Sequence, residues 1–154
     1  MKKHLLLLVF ILSSYNLSAQ NLIVNGDFES GGNGVGFITD GAGYSELLAP
    51  FSGTTVSGNF ALATNPISVN SSIFINAGDH TTGSGKMLIV DGNTTAGSPR
   101  FWKAGNAGSG ICGLTIGTSY TFSYWVKSIS TTVTNASTQA GIGISFTGAG
   151  SIVP

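Results

Sequence analysis

Between Ser119 and Ile129 the chain reads SYTFSYWVKSI, and this run constrains the fold more than any other. Side chains alternate across an extended strand. Tyr120, Phe122, Tyr124 and Val126 therefore share one face, while Thr121, Ser123, Trp125 and Lys127 share the other. The first set is expected to line a core. The second is half polar and carries one large aromatic, Trp125, turned outward.

The chain beyond residue 20 has the same character. It shows no sustained 3.6-residue apolar period. Gly, Ser, Thr and Asn recur throughout, and the helix formers Glu, Lys, Arg and Gln are scarce. Short β-branched and aromatic runs alternate with turn clusters, the pattern of an all-β sandwich or barrel. Strands are expected over Leu22–Val24 with Asp27–Glu29, over Val35–Ile38, Phe60–Ala63 and Ser72–Ile75, and over Lys86–Val90, Phe101–Lys103, Ser119–Ile129 and Gly141–Phe146. Turn signals between them include Asn25-Gly26, Asp91-Gly92 and Ala107-Gly108-Ser109-Gly110. Met87–Val90, reading MLIV, is apolar on both faces and is expected to be a central strand covered on both sides. With the Tyr120–Val126 face, it implies two stacked antiparallel sheets.

Residues 1–20 read as a signal peptide. Lys2 and Lys3 form a positive start, Leu5 to Leu12 an unbroken apolar core, and Ser18-Ala19-Gln20 a small-residue cleavage region. The apolar run is too short to span a bilayer, which takes about 20 apolar residues; the alternative is an uncleaved interfacial anchor. Cleavage leaves 134 of the 154 residues, 21–154, which suits one domain. Four Lys and Arg then stand against six Asp and Glu, a net charge of −2. Such a chain carries no basic footprint for nucleic acid. With 42% hydrophobic residues it is not disordered by composition either. Cys112, the only cysteine, is expected to be a buried small hydrophobe, or half of a bridge whose partner lies beyond Pro154. The ending GIGISFTGAGSIVP opens a strand, turns and begins another apolar run before stopping. The domain is therefore expected to be an incomplete piece of a larger polypeptide, the alternative being a naturally short chain with a ragged tail.

Three segments carry a family resemblance. NLIVNGDFES, Asn21 to Ser30, resembles the first strand of galactose-binding-like jelly-roll domains in secreted bacterial carbohydrate-binding modules. GDHTTGSGKMLIVDG, Gly78 to Gly92, looks like their loop and central strand, and IGTSYTFSYWVKS, Ile116 to Ser128, like their turn and long strand. The resemblance implies a two-sheet antiparallel jelly-roll β-sandwich. One departure stands out: the aromatic segment near the end of the family domain has no counterpart here. Within the first segment, Asn25 and Gly26 tolerate positive φ and permit a bend, so that Leu22, Val24 and Phe28 face the core. Asp27 and Glu29 then lie two apart on one face, repelling unless solvated or bridged. Flexible oxygen ligands suit Ca²⁺, and the resemblance implies a structural calcium near this element. Glu29 is the first candidate ligand and Asp27 the second; a solvated pair at the sheet rim is the alternative.

Sugar-binding sandwiches stack aromatic faces on the apolar side of pyranose rings and hydrogen-bond the hydroxyls with a few polar groups. Trp125 beside Lys127 and Ser123 is the first candidate platform, Trp102 beside Arg100 the second, and Tyr44 in a Gly-rich loop the third. The alternative for each is a core or sheet-covering residue, the commoner role of isolated tryptophans in small sandwiches. Asp79, His80 and Ser84 contain the atoms of a catalytic triad, but triads are recognised by geometry, and no Gly-x-Ser-x-Gly elbow occurs. No metal cluster of His and Cys and no phosphate-cradling motif is present either. The sequence thus points to a non-catalytic module on the cell surface or secreted, whose partner is a polysaccharide or cell-surface glycan. The alternatives are a protein-interaction module that does not touch sugar, and an accessory domain of a secreted hydrolase.

Overall fold

The structure, a computed structural model, describes residues 21–39, 43–94, 100–105, 109–131 and 144. The expected leader and the body of the strand expected over Gly141–Phe146 lie outside them. Among the described residues the regular structure is β-strand, with one short helix: β1 (Phe37–Ile38), β2 (Ser45–Leu47), β3 (Asn59–Ala63), α1 (Pro66–Val69), β4 (Met87–Val90) and β5 (Lys103–Ala104). This is mostly strand with little helix, consistent with the all-β fold expected from the sequence. Among the described residues no helix is long and apolar enough to cross a membrane.

Two small sheets form. One is the antiparallel pair β1–β5, with Phe37 opposite Ala104 and Ile38 opposite Lys103. The other has the order β2-β3-β4. Its β3 and β4 run antiparallel, with Phe60 opposite Val90 and Ala61 opposite Ile89, but β2 runs parallel to β3. A purely antiparallel arrangement was expected, and β2 departs from it.

The central and more deeply buried strand is β3; β4, expected to be central, packs against both clusters but stands at the end of the order β2-β3-β4 among the described residues. Phe60 points into a cluster with Phe37 and Tyr44, flanked by Phe28, Leu62, Leu88, Val90, Phe101 and Trp102. Ala61 and Ala63 point the other way, into a cluster with Val69, Phe74 and Ile89. Small alanines on that second face let α1 and Phe74 approach β3 closely. Residues opposite each other in the β3–β4 register share a face, so Leu88 and Val90 join the first cluster while Met87 and Ile89 join the second. Phe37 and Phe60 meet edge-to-face, with centroids 6.4 Å apart, and so tie the two sheets together.

Helix α1 is a single turn fixed at both ends. The Asn65 side chain accepts from Ile67 N, Pro66 stands at the first helical position, and the N–H of Asn70 donates to Pro66 O. Asn70 is 5% exposed, and its amide donates to Thr55 Oγ1, whose hydroxyl donates to Asp91 Oδ2 at 2.6 Å. This relay anchors the crossover between β2 and β3 to the end of β4.

The opening NGDFE element is a knot of turns rather than a strand. Asn25 has φ 54° and Phe28 has φ 63°, and Phe28 N donates to Asn25 O at 3.1 Å. Two consecutive bends of this kind cannot continue a pleated ribbon. Asn25 is 9% exposed. Its Nδ2 donates to Gly31 O and to Val35 O, each at 2.8 Å, and its Oδ1 accepts from Ser30 N at 2.9 Å. The side chain therefore acts as a substitute backbone for the loop 25–35, and the turn delivers the Phe28 ring edge-on to Phe37, 5.8 Å away. Val24, expected to face the core, is 65% exposed.

The 119–129 run also departs from expectation. Ordered pairing begins only at its end: Ile75 N donates to Ile129 O, Thr131 N donates to Ile73 O, and Phe74 bridges Ser130. Upstream of that bridge Tyr120, Tyr124 and Val126 are 47%, 52% and 61% exposed, and Phe122 is half-buried. Both expected faces are therefore open, and none of the described residues forms a layer over Tyr120, Tyr124 and Val126. The aromatic rings satisfy one another locally, Phe122 lying 5.8 Å from Tyr124 and the Tyr120 hydroxyl accepting from Thr115 N at 2.8 Å.

Candidate functional site

The site is assembled by a loop and a ribbon that lie far apart in the sequence. The loop, Gly78 to Gly85, is organised by one carboxylate. Asp79 accepts from the backbone N–H groups of Thr81 and Thr82 at 2.8 Å each, from the Thr82 hydroxyl at 2.8 Å and from Gly85 N at 2.6 Å. Asp followed by Thr and Gly at these offsets is turn chemistry, in which a short side chain bonds the backbone just ahead of it. The bonds stabilise the ionised form, that from Thr82 N–H most, against a smaller opposing effect of desolvation. The carboxyl is lowered to about 2.

The loop is stapled to the N-terminal turns. Glu29 Oε1 accepts from Lys86 N, and Lys86 Nζ donates to Glu29 O at 3.2 Å. Asp27 Oδ1 accepts from Glu29 N at 3.3 Å. A methyl group at Gly85 would run into Glu29 Oε1 and come within 3.3 Å of Asp79 Cγ, so the bare glycine lets two carboxylates cap consecutive amides.

The loop presents His80 to the ribbon. The imidazole lies flat on the indole of Trp125, with centroids 3.6 Å apart and planes 12° from parallel. Both residues are exposed, Trp125 by 76%. One face of the indole is backed by His80, and the rest of the ring remains open to water. Lys127, two residues on, is exposed as well. These bonds hold Asp79 within its own loop and turn His80 toward Trp125, so Asp79, His80 and Ser84 are not arranged as a triad.

The other candidate aromatics behave differently. Tyr44 is 9% exposed, belongs to the Phe37–Phe60 cluster and accepts from Asn93 N through its hydroxyl. Its ring meets Phe101 edge-on at 5.8 Å, leaving no face for a sugar. Trp102 is half-buried against the same cluster, and packing accounts for it. Arg100 beside it is exposed. Cys112 is a free, exposed thiol rather than a buried one. It borders a cavity of about 300 Å³ lined by Leu22, Ile23, Val24, Ala104 and Ile111.

For a divalent cation, the oxygen-only donors of Asp27 and Glu29 have the right chemistry. One oxygen of each already accepts a backbone N–H, and the Lys86 ammonium on the Glu29 carbonyl competes for the same ground. Among the described residues no group of three His, Cys, Asp or Glu side chains converges.

Sequence reasoning singled out Trp125 but missed His80 as its neighbour. The turn signal in DHTTGSG was available; the stack was not, because it joins two segments with no pattern in common. No protein-family model matches the chain, and no curated protein or solved structure is significantly similar to it.

Proposed function

We propose that this chain is a non-catalytic carbohydrate-binding or cell-surface adhesion module of an exported bacterial protein, built on a galactose-binding-like jelly-roll sandwich. The observation that carries the reading is the indole of Trp125, 76% exposed and held flat by His80. Leaving so large an apolar ring in water is costly unless something covers it. Each 100 Å² removed from water contributes roughly 2.5 kcal/mol at the usual coefficient. The flat apolar side of a pyranose ring matches that surface, and Lys127 supplies a donor for hydroxyls beside it. Tyr44 and Trp102 pack against the Phe37–Phe60 cluster and offer less open ring surface than Trp125.

A structural Ca²⁺ near Glu29 and Asp27 belongs to the same proposal. Bound there, the ion would offset the repulsion between the two carboxylates, while the Asn25 and Glu29 hydrogen bonds keep their geometry. Native gels cast with soluble polysaccharides test the sugar reading. Retardation by at least one glycan that disappears in Trp125→Ala is the expected result; equal migration in every gel sinks it. A second reading, a protein-interaction module, draws on the exposed apolar side chains Leu114, Ile116 and Val126. It gains if no glycan retards the protein and the chain self-associates instead.

A further inference from the structure

We infer that His80 is a positioning residue of this platform, fixing Trp125 as a one-sided stacking surface for a sugar ring in the interior of a polysaccharide chain. The inference rests on the glycan-binding reading and says how the site works and what form of ligand it takes. An exposed indole ordinarily rotates about two side-chain torsions, and that freedom is lost on binding. A ring already held flat has less to lose, which strengthens association without any new contact. His80 can hold it because its own backbone is fixed. Asp79 ties down Thr81, Thr82 and Gly85, and Glu29 ties down Lys86. The stack itself, 3.6 Å and 12°, is a full face-to-face contact rather than an edge brush.

The same contact determines the form of ligand. With one indole face covered by imidazole, a sugar cannot be sandwiched across both faces of Trp125. Pockets that enclose a small ligand, as capture of a chain end requires, are concave and bury 70–90% or more of its surface. A ring 76% exposed encloses nothing. It suits a residue within a long chain lying across the surface, with hydroxyls within reach of Lys127.

The test uses native gels containing soluble xylan, galactomannan, mixed-linkage β-glucan or pectin, run with the wild type, Trp125→Ala, His80→Ala and His80→Phe. Trp125→Ala should abolish retardation. His80→Ala should weaken it about three- to tenfold, the worth of one aromatic pair, and His80→Phe, which restores a flat ring, should return it to within about twofold of wild type. Borohydride reduction of the reducing ends should leave binding unchanged, which excludes capture of that end. Independently of any glycan, the His80 ring protons should show an upfield ring-current shift that vanishes in Trp125→Ala. If Trp125→Ala abolishes binding while His80→Ala binds as wild type, the role of His80 is refuted and the glycan reading stands. If end reduction abolishes binding, the chain-interior assignment is refuted. If no gel retards the wild type, or Trp125→Ala migrates as wild type does, the glycan reading falls and this inference with it.

Discussion

Replacing Asn25 by alanine is the sharpest test of how the N-terminal turns are held. The side chain makes three hydrogen bonds, to Gly31 O, Val35 O and Ser30 N, from a position only 9% exposed. At about 1 kcal/mol net for each bond, their loss costs about 3 kcal/mol. Alanine must also adopt φ 54°, which adds about 1 kcal/mol relative to a residue that tolerates the left-handed region. Asn25→Ala is therefore expected to lose about 4 kcal/mol, a large part of the 5–15 kcal/mol typical of a domain. Asn25→Gly restores the backbone freedom but not the bonds, and should lose about 3 kcal/mol. Urea denaturation followed by tryptophan fluorescence measures both. With slopes of about 1–3 kcal/mol/M, the alanine variant's midpoint should fall by more than about 1 M, and that of the glycine variant somewhat less. A loss below about 1 kcal/mol in Asn25→Ala would show that the side chain does not hold the loop. A glycine variant less stable than the alanine variant would refute the argument from positive φ.

Two further outcomes follow from the carboxylates. Asp79 titrates at about 2, below its ordinary value of 3.8. The stability its loop bonds contribute is therefore complete above the unfolded value and is lost as pH falls through about 2. Amide shifts of Thr82 and Gly85 in a pH series should change with a midpoint near 2, and a midpoint near 3.8 would contradict the hydrogen-bond set. For the calcium proposal, the melting temperature should rise by a few degrees in Ca²⁺ relative to chelator, as expected for about 1 kcal/mol of linked stabilisation. Glu29→Ala should remove that difference, and identical melting curves for the wild type would eliminate the ion.

How far the fold could be read from residues depended on what each segment leans upon. The runs FALA and MLIV announce β3 and β4 by themselves, because an apolar β-rich run is buried whatever its register. Ser45–Leu47 carries no such signal; it becomes β2 by pairing with β3. The helix start at Asn65-Pro66, an N-cap followed by proline, was passed over in the sequence because a single turn is too short to show a period. Asn25 and Phe28 were harder. Their positive φ values convert an apparent strand into turns, and Phe28 accepts the strained conformation because its ring gains the contact with Phe37. At the site, alternation separated Trp125 from Tyr120, Phe122, Tyr124 and Val126. Yet Tyr120, Tyr124 and Val126 are exposed like Trp125, since burial depends on a covering layer that alternation does not supply. The stack with His80 is a tertiary contact between unrelated segments and left no trace in either one.

The most direct measurement is a ¹H–¹⁵N spectrum of the indole N–H groups, recorded while the polysaccharide giving the strongest gel retardation is added. Trp125 Nε1–H should shift and saturate while Trp102, packed against the core cluster, stays in place. A shift confined to Trp102, or none at either ring at saturating polysaccharide, would contradict the assignment of the open indole face as the ligand's landing surface.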